Sequence, residues 1–140
     1  MRTQRIALVL LIAAIAAGAS ACTGRTIWLE WNPNPIVMKP DQEKIEGRLT
    51  IKVQGFLSSF HIDTIFVEAF DEDGEAAREL ASIPVNRPIP FFVPSFTLTE
   101  TVTLDVGYDA VKESRLGKIQ IVVTGDQQAV AEVEIKLEEE

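Results

Sequence analysis

The chain has 140 residues, with a single cysteine, a single histidine and a formal net charge of −8 at pH 7. An acidic chain of this kind argues against nucleic-acid binding and against adhesion to anionic lipid through a basic patch. One cysteine excludes an internal disulfide, and one histidine without a second cysteine argues against a transition-metal site. We therefore expect no cofactor.

The first 21 residues show the three zones of a secretory signal peptide. Arg2 and Arg5 form a positive start, Ile6–Ala17 is an unbroken apolar run, and Gly18–Ala21 are small residues. The uncharged stretch falls a little short of the ~20 residues that cross a bilayer comfortably, which favours a cleaved signal over an uncleaved anchor. The pattern predicts a signal peptide over residues 1–21 and a location outside the cytoplasm.

The only cysteine, Cys22, stands directly at the predicted cleavage point. Ala19-Ser20-Ala21-Cys22 resembles a bacterial lipobox, in which the cysteine receives a diacylglycerol. It departs from that pattern at Ala19, where leucine or another large apolar residue is usual. The resemblance implies lipidation of Cys22 and attachment to a membrane of the cell envelope. Ala19 and Ala21 also suit the general signal peptidase, so a soluble secreted or periplasmic protein is the alternative.

After cleavage the chain would keep 11 basic side chains (13 less Arg2 and Arg5) against 21 acidic ones, a formal −10. Its roughly 119 residues suit one domain with its own hydrophobic core. We expect residues 22–25 to be the lipidated cysteine with a short spacer, and residues 26–140 to be that domain.

Alternation of apolar and polar residues predicts most of the strands. It is regular over residues 45–54, 96–106 and 133–137, and period two with one polar face is typical of half-buried strands. Residues 119–123 add a strand, and Gly125–Gln128 predicts a hairpin to the last one. An opening strand over residues 26–31 ends at Asn32-Pro33-Asn34-Pro35, through which neither strand nor helix can continue.

Other segments are less regular. Residues 62–70 are mostly apolar, which predicts a central strand buried on both faces, and Asp71–Glu75 predicts a turn after it. Residues 76–82 read as a strand running on to Val85, with a short helix as the alternative. Residues 109–116 predict one short helix, with Asp109 as N-cap and Gly117 as its stop.

About seven strands with turns every ten residues predict an all-β fold, an antiparallel immunoglobulin-like β-sandwich. The order of the elements resembles the immunoglobulin-like and fibronectin-III-like domains of bacterial surface proteins. Asn32-Pro33-Asn34 after an apolar strand also resembles the desiccation-related late embryogenesis abundant (LEA/WHy) domains, which are β-sandwiches too.

Two groups of polar residues are candidate sites. His61 and Asp63 could form a dyad on one strand, but catalysis also requires a nucleophile and an oxyanion hole, so we expect no catalytic residue. Asp71, Asp73 and Glu75 have oxygens at calcium-like spacing. A full calcium loop needs a glutamate at its twelfth position, where Ser82 stands, so we expect an ordinary acidic turn with a weak calcium site as the alternative.

The segment from Pro84 to Pro94 holds four prolines and predicts a sheet edge or an extended connection. We expect one of Phe91 and Phe92 to point inward and the other outward. One reading is edge protection with a phenylalanine capping the core; the other is a rigid apolar ledge that receives a partner. Trp28 and Trp31 should face opposite sides of their strand, one in the core and the other near the membrane interface. All four aromatic residues are candidate partner-binding residues.

These observations predict a non-enzymatic exported lipoprotein that binds or scaffolds an envelope protein at the same membrane. The alternatives are a secreted ligand-binding or hydrolytic β-sandwich with a site in its loops, and a LEA/WHy-like stress protein.

Overall fold

A computed structural model describes residues 25–55 and 59–139. The predicted signal peptide and Cys22 lie outside the described residues. The described part contains one helix, α1 (Tyr108–Glu113), and the following strands: β1 (Arg25–Asn32), β2 (Ile36–Met38), β3 (Ile45–Gly55), β4 (Phe60–Asp71), β5 (Ala76–Ile89), β6 (Ser95–Leu104), β7 (Leu116–Gly125) and β8 (Ala129–Leu137).

The strands form two sheets, which confirms the predicted all-β sandwich. The smaller sheet has the order β1-β3-β6 and the larger one the order β2-β8-β7-β4-β5. Their inner faces share one hydrophobic core. One pairing departs from the expected antiparallel arrangement, because the short strand β2 runs parallel to β8.

The alternating segments bury the faces that the sequence pattern predicts. In β3 the side chains of Leu49, Ile51 and Val53 are completely buried, while Arg48 and Lys52, which alternate with them, are exposed. The predicted closing hairpin is also confirmed, since β7 and β8 pair as antiparallel neighbours on either side of residues 126–128. Each sheet thus covers the apolar face of the other, as a sandwich requires.

The segment Asn32-Pro33-Asn34-Pro35 moves the chain from one sheet to the other. β1 pairs with β3 in the smaller sheet and ends at Asn32, whereas β2 begins at Ile36 and pairs with β8 in the larger sheet. Proline has no N–H group to donate to a ladder, so the first strand cannot continue through this segment. After the bend, Ile36 and Met38 enter the core from the larger sheet.

Strand β4 is central, but the prediction that both its faces are buried was wrong. It lies between β5 and β7, with Ile65, Val67 and Ala69 completely buried on its inner face. Phe66, on the outer face, keeps 38% of its surface exposed. Its apolar sequence reflects a partly covered outer face, not a second buried layer. Residues 76–89 form one strand, β5, which confirms the strand over the helical alternative.

The predicted helix exists, but both of its predicted boundary residues were wrong. Gly107 occupies the N-cap position without a side-chain cap, and the helix covers Tyr108–Glu113. The chain turns at Arg115, whose φ of 53° is left-handed. Strand β7 begins at Leu116, so Gly117 lies within that strand and does not end the helix. The Tyr108 hydroxyl donates a 2.6 Å hydrogen bond to the carbonyl oxygen of Glu138, which attaches the helix to the chain just after β8.

The indole of Trp31 packs directly on Gly47 at the inner face of the smaller sheet. A β-carbon added to Gly47 would overlap the six-membered ring of Trp31, which is almost completely buried. Glycine is required here to make space for the ring, not for a special backbone angle.

We predict that Gly47→Ala lowers the free energy of unfolding by about 3 kcal/mol, because the methyl group forces the indole out of its position. Chemical denaturation of the purified protein measures the change. Gly117→Ala is the matched control, since its added methyl would make only ordinary contacts with Asp71 and Glu72, where β4 ends and the next turn begins. Equal stability of the two variants would contradict the packing of Trp31 on Gly47.

Candidate functional site

Phe91 and Phe92 lie together at the tip of the turn between β5 and β6. They are 62% and 67% exposed, and their rings meet edge to face with centroids 5.8 Å apart. The main-chain N–H of Val93 donates to the carbonyl oxygen of Pro90, so the two phenylalanines occupy the central positions of a four-residue turn. The prediction that one of them points inward was wrong, because residues in a turn do not alternate as they do in a strand. We call Pro90–Val93 the Phe turn.

The Phe turn is attached to the first residue of β1. The guanidinium of Arg25 is completely buried, and its Nη2 donates a 3.0 Å hydrogen bond to the carbonyl oxygen of Pro90. That oxygen also accepts the Val93 N–H, so one acceptor holds both the turn and the start of the domain. This role of Arg25 was not predicted, since arginine is seldom completely buried and nothing near it in the sequence signals the contact.

The Phe turn and the start of β1 belong to one end of the sandwich, which we call the N-terminal end. Arg25 is opposite Gly55, the last residue of β3, and Ser95 of β6 is opposite Gln54. The turn between β7 and β8 is at the same end, where Asp126 exchanges hydrogen bonds with the backbone of His61 near the start of β4. Topology therefore brings Phe91 and Phe92 to the end from which the chain leads back to Cys22.

The two ends of the sandwich differ in charge. The described connections at the N-terminal end are Gly55, Ser59, residues 90–94 and residues 126–128, and their only charged side chain is that of Asp126. The connections at the opposite, distal end, together with α1 and residues 138–139, carry ten exposed acidic residues against four exposed basic ones, a balance of −6. The acidic ones are Asp41, Glu43, Glu72, Asp73, Glu75, Asp105, Asp109, Glu113, Glu138 and Glu139, and the basic ones are Lys39, Lys44, Lys112 and Arg115.

The two tryptophans face opposite sides of β1, as predicted. Trp31 is in the core, so it is not available to a partner, whereas Trp28 is 47% exposed on the outer face of the smaller sheet. Trp28 lies in a shallow groove of about 480 Å³. The groove is lined by Trp28, Leu29, Glu30, Thr50, Lys52 and Gln54. The four candidate aromatic residues therefore form one pair in the Phe turn, one isolated groove residue and one core residue.

His61 and Asp63 approach each other on the surface. His61 Nδ1 is 3.8 Å from Asp63 Oδ1, and their side chains are 41% and 57% exposed. A register shift in β4 between Ile62 and Thr64 contains Asp63. This places the pair at an exposed bulge near the start of β4, where water has free access to both side chains.

The acidic segment after β4 forms the predicted turn. Asp71 Oδ1 accepts hydrogen bonds of 3.0 Å from the main-chain N–H groups of Asp73 and Glu75, and Gly74 takes a left-handed φ of 86°. Oδ1 of Asp71 thus stabilises the backbone of the turn. Within residues 25–55 and 59–139, no group of three or more histidine, cysteine or acidic side chains is arranged to hold a metal ion.

Comparison with known proteins gives similarity of fold alone. No protein-family model matches the chain, and no curated protein matches it in sequence. A late embryogenesis abundant (LEA) protein is 16% identical, with a TM-score of 0.47 over 94% of this chain and 83% of that one. The sporulation control protein Spo0M of Bacillus subtilis is 14% identical, with a TM-score of 0.45 over 84% of this chain and half of that one.

The CARDB domain of a Pyrococcus furiosus protein, solved with two metal ions, is 15% identical, with a TM-score of 0.33 over 82% of this chain and 96% of that one. At these identities and TM-scores, none of the three assigns an activity, ligand or partner to this chain.

In the part of the chain that the structure describes, no helix has the length and apolarity to cross a membrane.

We predict that Asp71→Ala lowers the free energy of unfolding by about 1–2 kcal/mol, because two main-chain N–H groups lose their acceptor. We further expect millimolar calcium to leave the melting temperature of the unaltered protein unchanged. Thermal denaturation with calcium and with a chelator measures both effects. Asp73→Ala is the control at a neighbouring exposed carboxylate. Stabilisation by calcium that disappears in Asp71→Ala would show a metal site instead of a simple turn.

We also expect the purified protein to hydrolyse no ester, glycoside or peptide in a broad panel of chromogenic substrates, and His61→Ala to leave this result unchanged. The reason is the exposure of the His61–Asp63 pair, which has no sheltered site around it. Asp63→Asn serves as the companion variant. Hydrolysis that both variants abolish would establish a loop-site enzyme.

Proposed function

We propose that the protein is a non-enzymatic exported lipoprotein whose β-sandwich binds or scaffolds a partner at the cell envelope. One observation carries the proposal: the single cysteine of the chain stands where the predicted signal peptide ends and only three residues before the first strand begins. A diacylglycerol with a further acyl chain on Cys22 would hold the domain stably, since one chain alone binds a membrane only marginally.

The short connection between Cys22 and β1 limits how far from the membrane the domain could contact a partner. Thr23 and Gly24 are the only residues between Cys22 and β1. A fully extended chain spans at most about 3.6 Å per residue, so the Cα atoms of Cys22 and Arg25 are within about 11 Å of each other. A domain held this closely cannot reach across a wide envelope space. The partner we propose is therefore a protein at the same membrane.

A binding role agrees with the surface of the described residues. Their exposed aromatic side chains include Phe91, Phe92 and Trp28, and aromatic residues are enriched at protein interfaces relative to the rest of the surface. The polar candidates act differently: Asp71 maintains a turn, and His61 with Asp63 lies at an exposed bulge. We accordingly assign no catalytic residue.

We predict that the native protein, extracted from membranes, has the mass of residues 22–140 plus a diacylglycerol and any further acyl chain. Cys22→Ser should lack the lipid and leave the membrane fraction. Intact-mass spectrometry together with membrane fractionation measures both properties.

Thr23→Ser is the matched control, because it makes a comparable change beside the cysteine and keeps the thiol. A soluble native protein with the mass of an unmodified chain that begins at Cys22 would contradict the proposal. It would indicate cleavage by the general signal peptidase and a diffusing secreted domain.

A further inference from the structure

We infer that the Phe turn inserts into the surface of the bilayer that holds the N-terminus, so that the domain stands on its N-terminal end. Phe91 and Phe92 are the inserted side chains, and their ligand is the lipid interface itself. The inference rests on the proposed lipid anchor and extends it. It assigns an orientation and a second membrane contact.

The first argument is distance. The Arg25 guanidinium touches the Pro90 carbonyl oxygen at 3.0 Å, and the Cα atom of Cys22 is within about 11 Å of that of Arg25. An acyl chain on Cys22 would therefore enter the bilayer near the N-terminal end of the sandwich, the end to which the Phe turn belongs.

The second argument is the form of the turn. Phe91 and Phe92 project from the central positions of a turn that has Pro90 on one side and Pro94 on the other. Proline fixes its own φ, and the buried Arg25 holds the Pro90 carbonyl in place, so insertion would require little further ordering of the backbone. Aromatic and large apolar side chains are those that lie at the headgroup boundary of peripheral membrane proteins.

The third argument is charge. The N-terminal end has one charged side chain in its described connections, whereas the distal end carries a balance of −6. An anionic leaflet repels acidic side chains within about one Debye length, which is ~8 Å at physiological salt. The orientation with the Phe turn downward is the one that keeps the acidic residues farthest from the leaflet.

The short connection between Cys22 and Arg25 also favours lipid over a protein as the surface that the Phe turn contacts. A helix with its side chains is about 10–12 Å across, which is as wide as the longest distance between Cys22 and Arg25 that the two intervening residues allow. A protein partner would have to fit between the N-terminal end of the domain and the membrane to which Cys22 is attached. The lipid interface would lie next to that end without any such insertion.

The test places one fluorescent label at the Phe turn and one at the distal end. In the full-length protein, Phe92→Cys and, as matched control, Asp73→Cys are each labelled with the same thiol-reactive NBD probe; both positions are exposed tips of turns. A lipidated Cys22 is a thioether and does not react. The membrane-bound proteins are reconstituted in vesicles of phosphatidylethanolamine and phosphatidylglycerol. Quenching is then measured with doxyl-labelled lipid and with aqueous iodide.

We expect doxyl lipid to quench the label at Phe92→Cys at least threefold more than the label at Asp73→Cys, and iodide to give the reverse order. Adding Phe91→Ser to Phe92→Cys should reduce the quenching by lipid. Equal access of iodide to both labels on a lipidated, membrane-bound protein would overturn the inference and leave the anchor intact. Protection of the Phe92→Cys label from both quenchers would overturn it in favour of a protein partner.

If Cys22 carries no lipid, a different measurement tests the insertion of the Phe turn. If the mass of the native protein shows no lipid, the labels are placed in a Cys22→Ser chain and the same vesicles are added to the soluble protein. A blue shift of the label at Phe92→Cys, absent at Asp73→Cys, would support insertion of the Phe turn without an anchor. No shift at either position would overturn insertion.

Discussion

The contact between Trp31 and Gly47 is the constraint on which the inner face of the smaller sheet depends, at the point where the chain leaves that sheet for the larger one. Trp31 is the last core residue of β1 before the chain bends at Asn32 and enters the larger sheet. Its ring covers the place that a side chain at position 47 would fill. Burial of such a ring contributes about 2–3 kcal/mol, which offsets the cost of its buried indole N–H, for which the described residues provide no hydrogen-bond partner. A domain without an internal disulfide relies on contacts of this kind.

The sequence predicted which residues of each strand face the core better than it predicted how far the outer faces are covered or which strands pair. Alternation identified the inner residues of β3, β7 and β8, because a strand has a period of two wherever one face is covered. It could not predict that Phe66 faces outward, since an apolar residue on a partly covered face looks like a core residue. The parallel pairing of β2 with β8 was also beyond it, because that pairing depends on where a bend sends the chain, and the intervening residues carry no mark of the partner strand.

The candidate site shows the same division between local and long-range information. The adjacent phenylalanines and the prolines around them were visible in the sequence, but their position beside the start of β1 results from the order of the strands. Arg25 makes that position definite. Its buried guanidinium bonds to a carbonyl oxygen 65 residues away, and an arginine next to a predicted cleavage site gives no local sign of such a role. Pairing through a main-chain acceptor leaves no signature in the side chain of Pro90.

The distribution of charge changes what the net charge means. A formal −10 for the chain after the predicted cleavage argues against adhesion to an anionic membrane if the charge is spread evenly. Strand β3 has 11 residues and extends from one end of the sandwich to the other, which at ~3.3 Å per residue separates the ends by about 35 Å. This separation is several Debye lengths at physiological salt, so the acidic distal end hardly affects a surface touched by the N-terminal end. An acidic protein can therefore stand on an anionic leaflet, provided that its apolar end and its anchor coincide. The hydrogen bond from Arg25 to Pro90 holds the Phe turn beside the start of β1, three residues after Cys22 in the sequence.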